Sequence, residues 1–314
     1  MRPLIRSTHG PGVLTDLGAF AGLFHLARTK VRDPVLVASA DGVGTKLKVA
    51  QLVGAHEAIG VDVVAMNTND VLAYGARPLF FLDYLAVGIL QPVMMGRLLK
   101  GMVTGCRQSG CVLLGGETAE MPGVYADGDY DVAGFCVGIA ERRQLIDGSR
   151  VRAGDVVIGL ASSGLHANGF SLVRKALPPE TLQRFARRLS VPTRIYVKPV
   201  LQLLQRVPVH AIVHVTGGGL SRRLPALVAA QPLLQVRLHP ERWRVPELFT
   251  AIQHAGGVAT AEMMATFNMG IGMALACRAR DAATAVRVLQ SASVAARPIG
   301  IVERRRGRSQ LQVG

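Results

Sequence analysis

Short apolar runs alternate along the chain with longer segments of helical spacing and with glycine-rich turns. That alternation predicts an α/β protein of the α+β type. Residues 34–38 (PVLVA) read as a buried strand that runs into Asp41-Gly-Val-Gly-Thr-Lys46. Residues 79–87 (LFFLDYLAV) predict a second strand with Asp83 inside it, and residues 111–115 (CVLLG) a third that enters Gly115-Gly-Glu-Thr118. Residues 130–140 predict a fourth. Between the second and third, Val93, Met94, Met95, Leu98, Leu99, Met102, Val103 and Cys106 recur at the three-and-four spacing of an amphipathic helix over 92–106. Residues 59–66 (IGVDVVAM) mix apolar positions with Asp62 and lead into Asn67-Thr-Asn-Asp70.

A polar, turn-rich stretch from Glu141 to Gly154 predicts a domain boundary, giving domains 1–150 and 151–314. The second half opens with a strand over 155–160 and the loop Ala161-Ser-Ser-Gly-Leu-His-Ala-Asn-Gly169, then a helix over 170–177. A helix over 194–206 must place Pro199 near its start or bend there. Residues 210–216 (HAIVHVT) predict a strand leading into Gly217-Gly-Gly219, and 246–256 and 282–291 predict further helices.

Composition narrows the class. Apolar residues make up 49% of the 314, charged residues 18% and aromatics 5%, a globular profile whose core is mainly Val, Leu, Ile, Ala and Met. The net charge of +15 favours anionic partners such as phosphorylated metabolites, but no nucleic-acid motif accompanies it. The four cysteines form no C-x-x-C pair and no zinc spacing, which fits a reducing cytoplasm. The opening Met1-Arg-Pro-Leu-Ile-Arg-Ser has no apolar core of a secretory signal, and no apolar run is long enough to span a bilayer.

Four clusters carry candidate chemistry. In Asp41-Gly-Val-Gly-Thr-Lys46, glycines after a strand let backbone N–H groups approach phosphate, with Lys46 as a point charge and Thr45 as a hydroxyl ligand. The competing reading is a tight hairpin with a surface lysine. Asp70 is either a Mg²⁺ ligand or a helix cap before Val71. Glu117, after Gly115 and Gly116, is placed to enter a cleft as metal ligand or base. In the second half, His166 and Asn168 lie in a Gly/Ser/Asn loop before a helix, and Thr216-Gly-Gly-Gly219 repeats that design.

The stretches DGVGTKLKVA (41–50), GVDVVAMNTNDVLAYGARPLFFLDYLAVG (60–88), GGETAEMPGVY (115–125), YDVAGFCVGI (130–139), GLHANGFSLVRK (164–175), VPTRIYVK (191–198), HVTGGGL (214–220) and TFNMGIGM (266–273) are long and specific. Through them the chain resembles the phosphoribosylformylglycinamidine cyclo-ligase family over roughly residues 5–302. The resemblance implies two α/β domains, an N-terminal ATP-binding and dimerisation domain whose sheet forms a barrel in a homodimer, and a C-terminal substrate domain with a mixed sheet flanked by helices. It implies ATP and Mg²⁺, and ring closure of formylglycinamidine ribonucleotide to aminoimidazole ribonucleotide in purine biosynthesis.

Carried onto this sequence, Asp41, Asp70 and Glu117 would bind metal, and Gly42, Gly44, Thr45, Lys46, Asn69, Asp70, Gly115 and Gly116 would bind the nucleotide. Lys46, Asp70, Glu117 and His166 would be catalytic, and His166, Asn168, Thr216, Gly217, Gly218 and Gly219 would face the substrate. The long GGETAEMPG and PLFFLDY stretches favour the cyclo-ligase over ATP-using relatives such as thiamine-phosphate kinase or hydrogenase-maturation enzymes. The family carries an N-terminal Y-x-x-A-G-V-D segment ahead of the first strand that this sequence lacks, and Arg222 and Arg223 stand where Glu-Asn is usual. Those departures define the alternative, a non-catalytic or regulatory paralogue that keeps the dimer fold.

Overall fold

Strands β1 (Pro34–Gly42), β2 (Arg77–Val87), β3 (Val112–Glu120) and β4 (Tyr130–Glu141) form the first sheet, in the order β1-β4-β2-β3. β4 runs antiparallel to both β1 and β2, and β2 and β3 are parallel. The computed structural model describes residues 1–314 and divides into two compact units.

The first unit holds Met1–Leu72, Ala76–Gln144 and, from the second half of the sequence, Gln183–Val197. Beside its sheet run the helices His56–Leu72 and Pro92–Ser109. The second begins on Pro92, as its apolar spacing predicts, and runs one turn past 106 to Ser109, ending at Gly110 in the left-handed conformation (φ 71°). The first contains the 59–66 stretch, whose pattern is blurred because nearly every side of it is covered, Asp62, Asn67 and Asn69 included. The two helices cross at glycines. A Cβ on Gly60 would sit 2.1 Å from the Leu98 carbonyl oxygen, and one on Gly101 2.0 Å from that of Glu57.

The segment before β1 folds back on itself. Leu14 N–H donates to Leu23 O (3.0 Å) and His25 N–H to Gly12 O (2.7 Å), leaving residues 17–22 as the tip of a hairpin. Thr8 and His9 fasten the start of the chain to β3 through the Leu113 N–H and carbonyl, at 3.0 and 3.1 Å.

The second unit is built on β5 (Val156–Ala161), β6 (Val209–His214), β7 (Leu234–Leu238), β8 (Ile271–Cys277), β9 (Ala296–Arg304) and β10 (Leu311–Val313), in the order β10-β7-β9-β5-β8-β6. The sheet is mixed, with β10 parallel to β7 and the other pairs antiparallel. β6 and β8 are buried along their whole length; β8 reads as an unbroken apolar run, while β6 also buries His210 and His214. Helices Phe170–Ala176, Val197–Leu204, Glu247–Gly256, Thr260–Thr266 and Ala279–Ser291 accompany it. Pro199 falls in the first turn of Val197–Leu204, where a missing N–H costs nothing.

Candidate active site

Each unit carries part of the expected constellation. In the first, a cleft of about 720 Å³ lies under the hairpin tip, lined by Gly18 to Gly22 on one side and by Asp83, Tyr84, Gly115, Gly116 and Glu117 on the other. β2 and β3 bring these together because Asp83 pairs in register with Gly116 and Tyr84 with Glu117. Gly116 must be glycine, since a Cβ there would stand 2.3 Å from Asp83 Oδ1. Glu117 is exposed, and Asp83 is 8% exposed. Burial pushes the Asp83 carboxyl up to about 7. At the tip, Asp16 accepts from Arg6 Nε (2.8 Å) and from the Leu17 N–H (2.8 Å). Asp83 and the 17–22 tip were not singled out from the sequence. A carboxylate inside an otherwise apolar strand was the signal available.

Four expectations for this unit are corrected. Asp41, Asp70 and Glu117 do not converge, and no group of three or more His, Cys, Asp or Glu side chains is disposed to hold a metal. The sheet order explains it. β1 and β3 are opposite edges, so Asp41 and Glu117 stand three strand spacings apart, about 14 Å.

Lys46 is neither a surface lysine nor a loop cation offered to phosphate. It opens the helix Lys46–Gln51 and is wholly buried, with Nζ 2.7 Å from Asp62 Oδ2 and 2.7 Å from the Val191 carbonyl oxygen. Asp62 Oδ1 accepts from the Thr193 N–H (2.7 Å) and Oγ1 (2.6 Å). Burial lowers the lysine's pKa and raises the carboxyl's. Asn69, expected at the nucleotide, is also fully buried: its Nδ2 donates to Arg194 O (2.9 Å) and its Oδ1 accepts from Tyr196 N–H (2.9 Å). Both side chains brace residues 191–196.

Asp70 is no N-cap either; it lies near the C-terminal end of the helix His56–Leu72. Asp41 Oδ1 accepts from the Gly42 N–H (2.8 Å), while Asn67 Nδ2 donates to the Asp41 carbonyl (3.1 Å) and fixes the end of β1 to that helix. Gly44 (φ 66°) and Thr45 remain exposed.

In the second unit the expected substrate residues do come together. His166 is buried in the left-handed region (φ 64°), with its ring 6.5 Å from that of His214. Its Nε2 accepts from the Ser163 N–H (3.2 Å), which puts the neutral ring's proton on Nδ1. The Asn168 Nδ2 is buried with no hydrogen-bond partner, and its Oδ1 lies 3.4 Å from where a Cβ on Gly217 would be. Thr216 is buried and Gly217 exposed, while Gly218 (φ 98°) and Gly219 (φ 57°) turn the backbone. Arg223, one of the two arginines at the departure from the family pattern, donates from Nε to the Gly217 carbonyl (2.7 Å).

Comparison with known proteins places this arrangement. Residues 22–140 match the family model described as AIR synthase related protein, N-terminal domain, and residues 152–312 match its C-terminal counterpart. Among solved structures, thiamine-monophosphate kinase from Stenotrophomonas maltophilia K279a shares the fold at a TM-score of 0.73 and 20% identity, covering 98% of this chain and 93% of that one. The hydrogenase maturation protein HypE, solved in complex with ATP, does so at 0.70 and 19%, covering 96% and 84%.

Sequence relatives go further than the fold class. A phosphoribosylformylglycinamidine cyclo-ligase of Burkholderia mallei is 48% identical over 100% of this chain and 91% of its own length. Those of Syntrophus aciditrophicus (44%; 97% and 90%) and Geotalea daltonii (49%; 88% and 82%) are similar. The chain belongs to the phosphoribosylformylglycinamidine cyclo-ligase family.

Proposed function

We propose that the protein closes the imidazole ring of formylglycinamidine ribonucleotide at the expense of ATP, releasing aminoimidazole ribonucleotide, ADP and phosphate. The near end-to-end identity with cyclo-ligases of three bacteria carries this reading, and it favours an active enzyme over a non-catalytic paralogue. An amide oxygen is a poor leaving group. Transfer of the γ-phosphoryl to that oxygen gives an imidoyl phosphate and ADP. The neighbouring amidine nitrogen then attacks the carbon, and phosphate departs with the oxygen. Such chemistry depends on positioning and charge neutralisation more than on covalent help from the protein.

The cleft under the 17–22 tip suits a nucleotide, because apolar and aromatic side chains line it together with Gly18, Gly22, Gly115 and Gly116, and its volume of about 720 Å³ is that of a small-molecule pocket. Mg²⁺ shared with phosphates needs only one or two protein carboxylates, so the exposed Glu117 on the cleft wall is a fitting donor. Bound there, the ion would supply charge neutralisation. His166, Asn168 and the 216–219 backbone are proposed to face the ribonucleotide, with His166 Nδ1–H as a donor to it. The outer sheet surface leaves Leu36, Tyr84 and Phe135 exposed at 56%, 38% and 45%, which supports a homodimer formed through that face, and because Tyr84 and Phe135 also line the cleft, such a partner would border it.

The deciding experiment is turnover of formylglycinamidine ribonucleotide with Mg-ATP, scored by aminoimidazole ribonucleotide formed. Product in proportion to ADP is expected. A folded protein that forms none refutes the assignment.

A further inference from the structure

We propose that Asn268 is a positioning residue for the ribonucleotide loop, and that the turn Phe267–Gly270 sets both glycine-rich loops of the second unit. This rests on the reading that residues 162–169 and 216–219 face that substrate.

Asn268 is 3% exposed, and both ends of its amide are used. Oδ1 accepts from Ser162 Oγ (3.1 Å) and from the Gly270 N–H (2.8 Å), while Nδ2 donates to the Gly164 carbonyl (2.9 Å). The Ser162 N–H adds a bond to Gly270 O (2.9 Å). One side chain therefore grips the loop at two points, 162 and 164, immediately before His166. The grip matters because the loop is held in unusual conformations. Gly164 has φ 155° and His166 has φ 64°, and a non-glycine residue keeps a positive φ only where its surroundings impose it.

Phe267 serves the neighbouring loop. Its carbonyl accepts from the Leu220 N–H (3.2 Å). Its backbone lies so close to Gly219 that a Cβ there would meet Phe267 O at 2.7 Å and N at 2.8 Å. Its ring lies against Gly169, where a Cβ would come 2.3 Å from Cε1. The turn is braced from the other side: Trp243 Nε1 donates to the Met269 carbonyl (3.0 Å), and Gly270 (φ 96°) leaves no room for a Cβ beside Pro246 Cδ, at 2.6 Å. Trp243 is the single tryptophan of the chain, so its emission reports on this turn.

The test is steady-state kinetics on the native protein, Asn268→Ala and Asn268→Asp, with Trp243 emission recorded on each. Aspartate keeps the Oδ1 acceptor but sets a carboxylate oxygen, in place of the donor, against the Gly164 carbonyl. The expected result is a KM for formylglycinamidine ribonucleotide raised roughly tenfold, about the worth of one good hydrogen bond. The KM for ATP stays within about twofold, because none of the residues that Asn268 bonds lines the nucleotide cleft. Native emission shows the turn intact. If Asn268→Ala has the emission of unfolded protein, Asn268→Asp decides. An unchanged ribonucleotide KM in Asn268→Asp, or an equal rise in both KM values, overturns the inference. If the native protein forms no product, the proposed reaction falls, and calorimetric titration with the same ribonucleotide decides the role of Asn268. Roughly tenfold weaker binding by Asn268→Asp supports it; equal binding, or none by the native protein, overturns it.

Discussion

Replacing Lys46 by alanine tests the buried ion pair directly. The native pair is wholly enclosed, with Nζ 2.7 Å from Asp62 Oδ2 and 2.7 Å from Val191 O. Truncation leaves the Asp62 carboxylate without a counter-charge in the interior and frees the Val191 carbonyl. Breaking one side of such a pair costs about 3–5 kcal/mol. That is a large share of the roughly 5–15 kcal/mol that holds a domain folded. An exposed lysine at the same position would cost under about 0.5 kcal/mol. The two cases are thus well separated. Lys46→Met combined with Asp62→Asn removes both charges, and asparagine keeps an acceptor for the Thr193 N–H and Oγ1 bonds of 2.7 and 2.6 Å. Neutralising both partners is expected to recover more than half of the loss. Urea unfolding followed by far-UV circular dichroism measures both variants beside the native protein. A Lys46→Ala midpoint equal to the native one, with only the ATP KM raised, refutes the buried brace and restores Lys46 to the phosphate site.

Other expectations follow from the same geometry. Gly101→Ala drives a Cβ to 2.0 Å from the Glu57 carbonyl oxygen, so the helices must part; a loss of about 1–3 kcal/mol or more is expected in denaturant titration. Asp83, pushed up to about 7 by burial, ionises near 4 when unfolded. Between those values the folded state alone holds the proton. The stability it contributes is therefore full below about pH 4 and lost as pH rises through 7. Comparing native protein with Asp83→Asn at pH 5 and pH 8 checks this: the native protein should lose more stability on going to pH 8, and parallel losses would show that Asp83 is already ionised at pH 5. Glu117→Gln is expected to slow ATP turnover by about tenfold or more while leaving the melting temperature within a degree or two, since the side chain is exposed.

Much of the fold was legible where a segment has one wet face and one dry face. The helix Pro92–Ser109 is of that kind, and its apolar spacing reads directly. The helix His56–Leu72 is not: 13 of its 17 residues are buried, so period and polarity both fail as guides. Asp62 within it looked anomalous because its partners are remote, Lys46 before it and Thr193 131 residues after it. The two loops that carry His166, Asn168 and 216–219 were legible because glycine and small polar residues mark them. The three-carboxylate metal site was not, because sheet order decides it. Placing β3 parallel to β2 at the edge opposite β1 separates Glu117 from Asp41, and no local pattern encodes that choice.

The return of residues 183–197 to the first unit has a consequence for how the molecule is made. On the ribosome, the stretch up to Gln144 is complete well before Val191, Thr193, Arg194 and Tyr196 emerge. Until then the polar groups of Lys46, Asp62 and Asn69 have no one to bind among those four residues. The N-terminal unit is thus committed to wait for a late stretch of its own translation. Severing the chain near residue 150 would yield an N-terminal fragment with an ion pair at its heart and no lid over it. Supplying residues 183–197 as a separate peptide would be the way to make such a fragment whole.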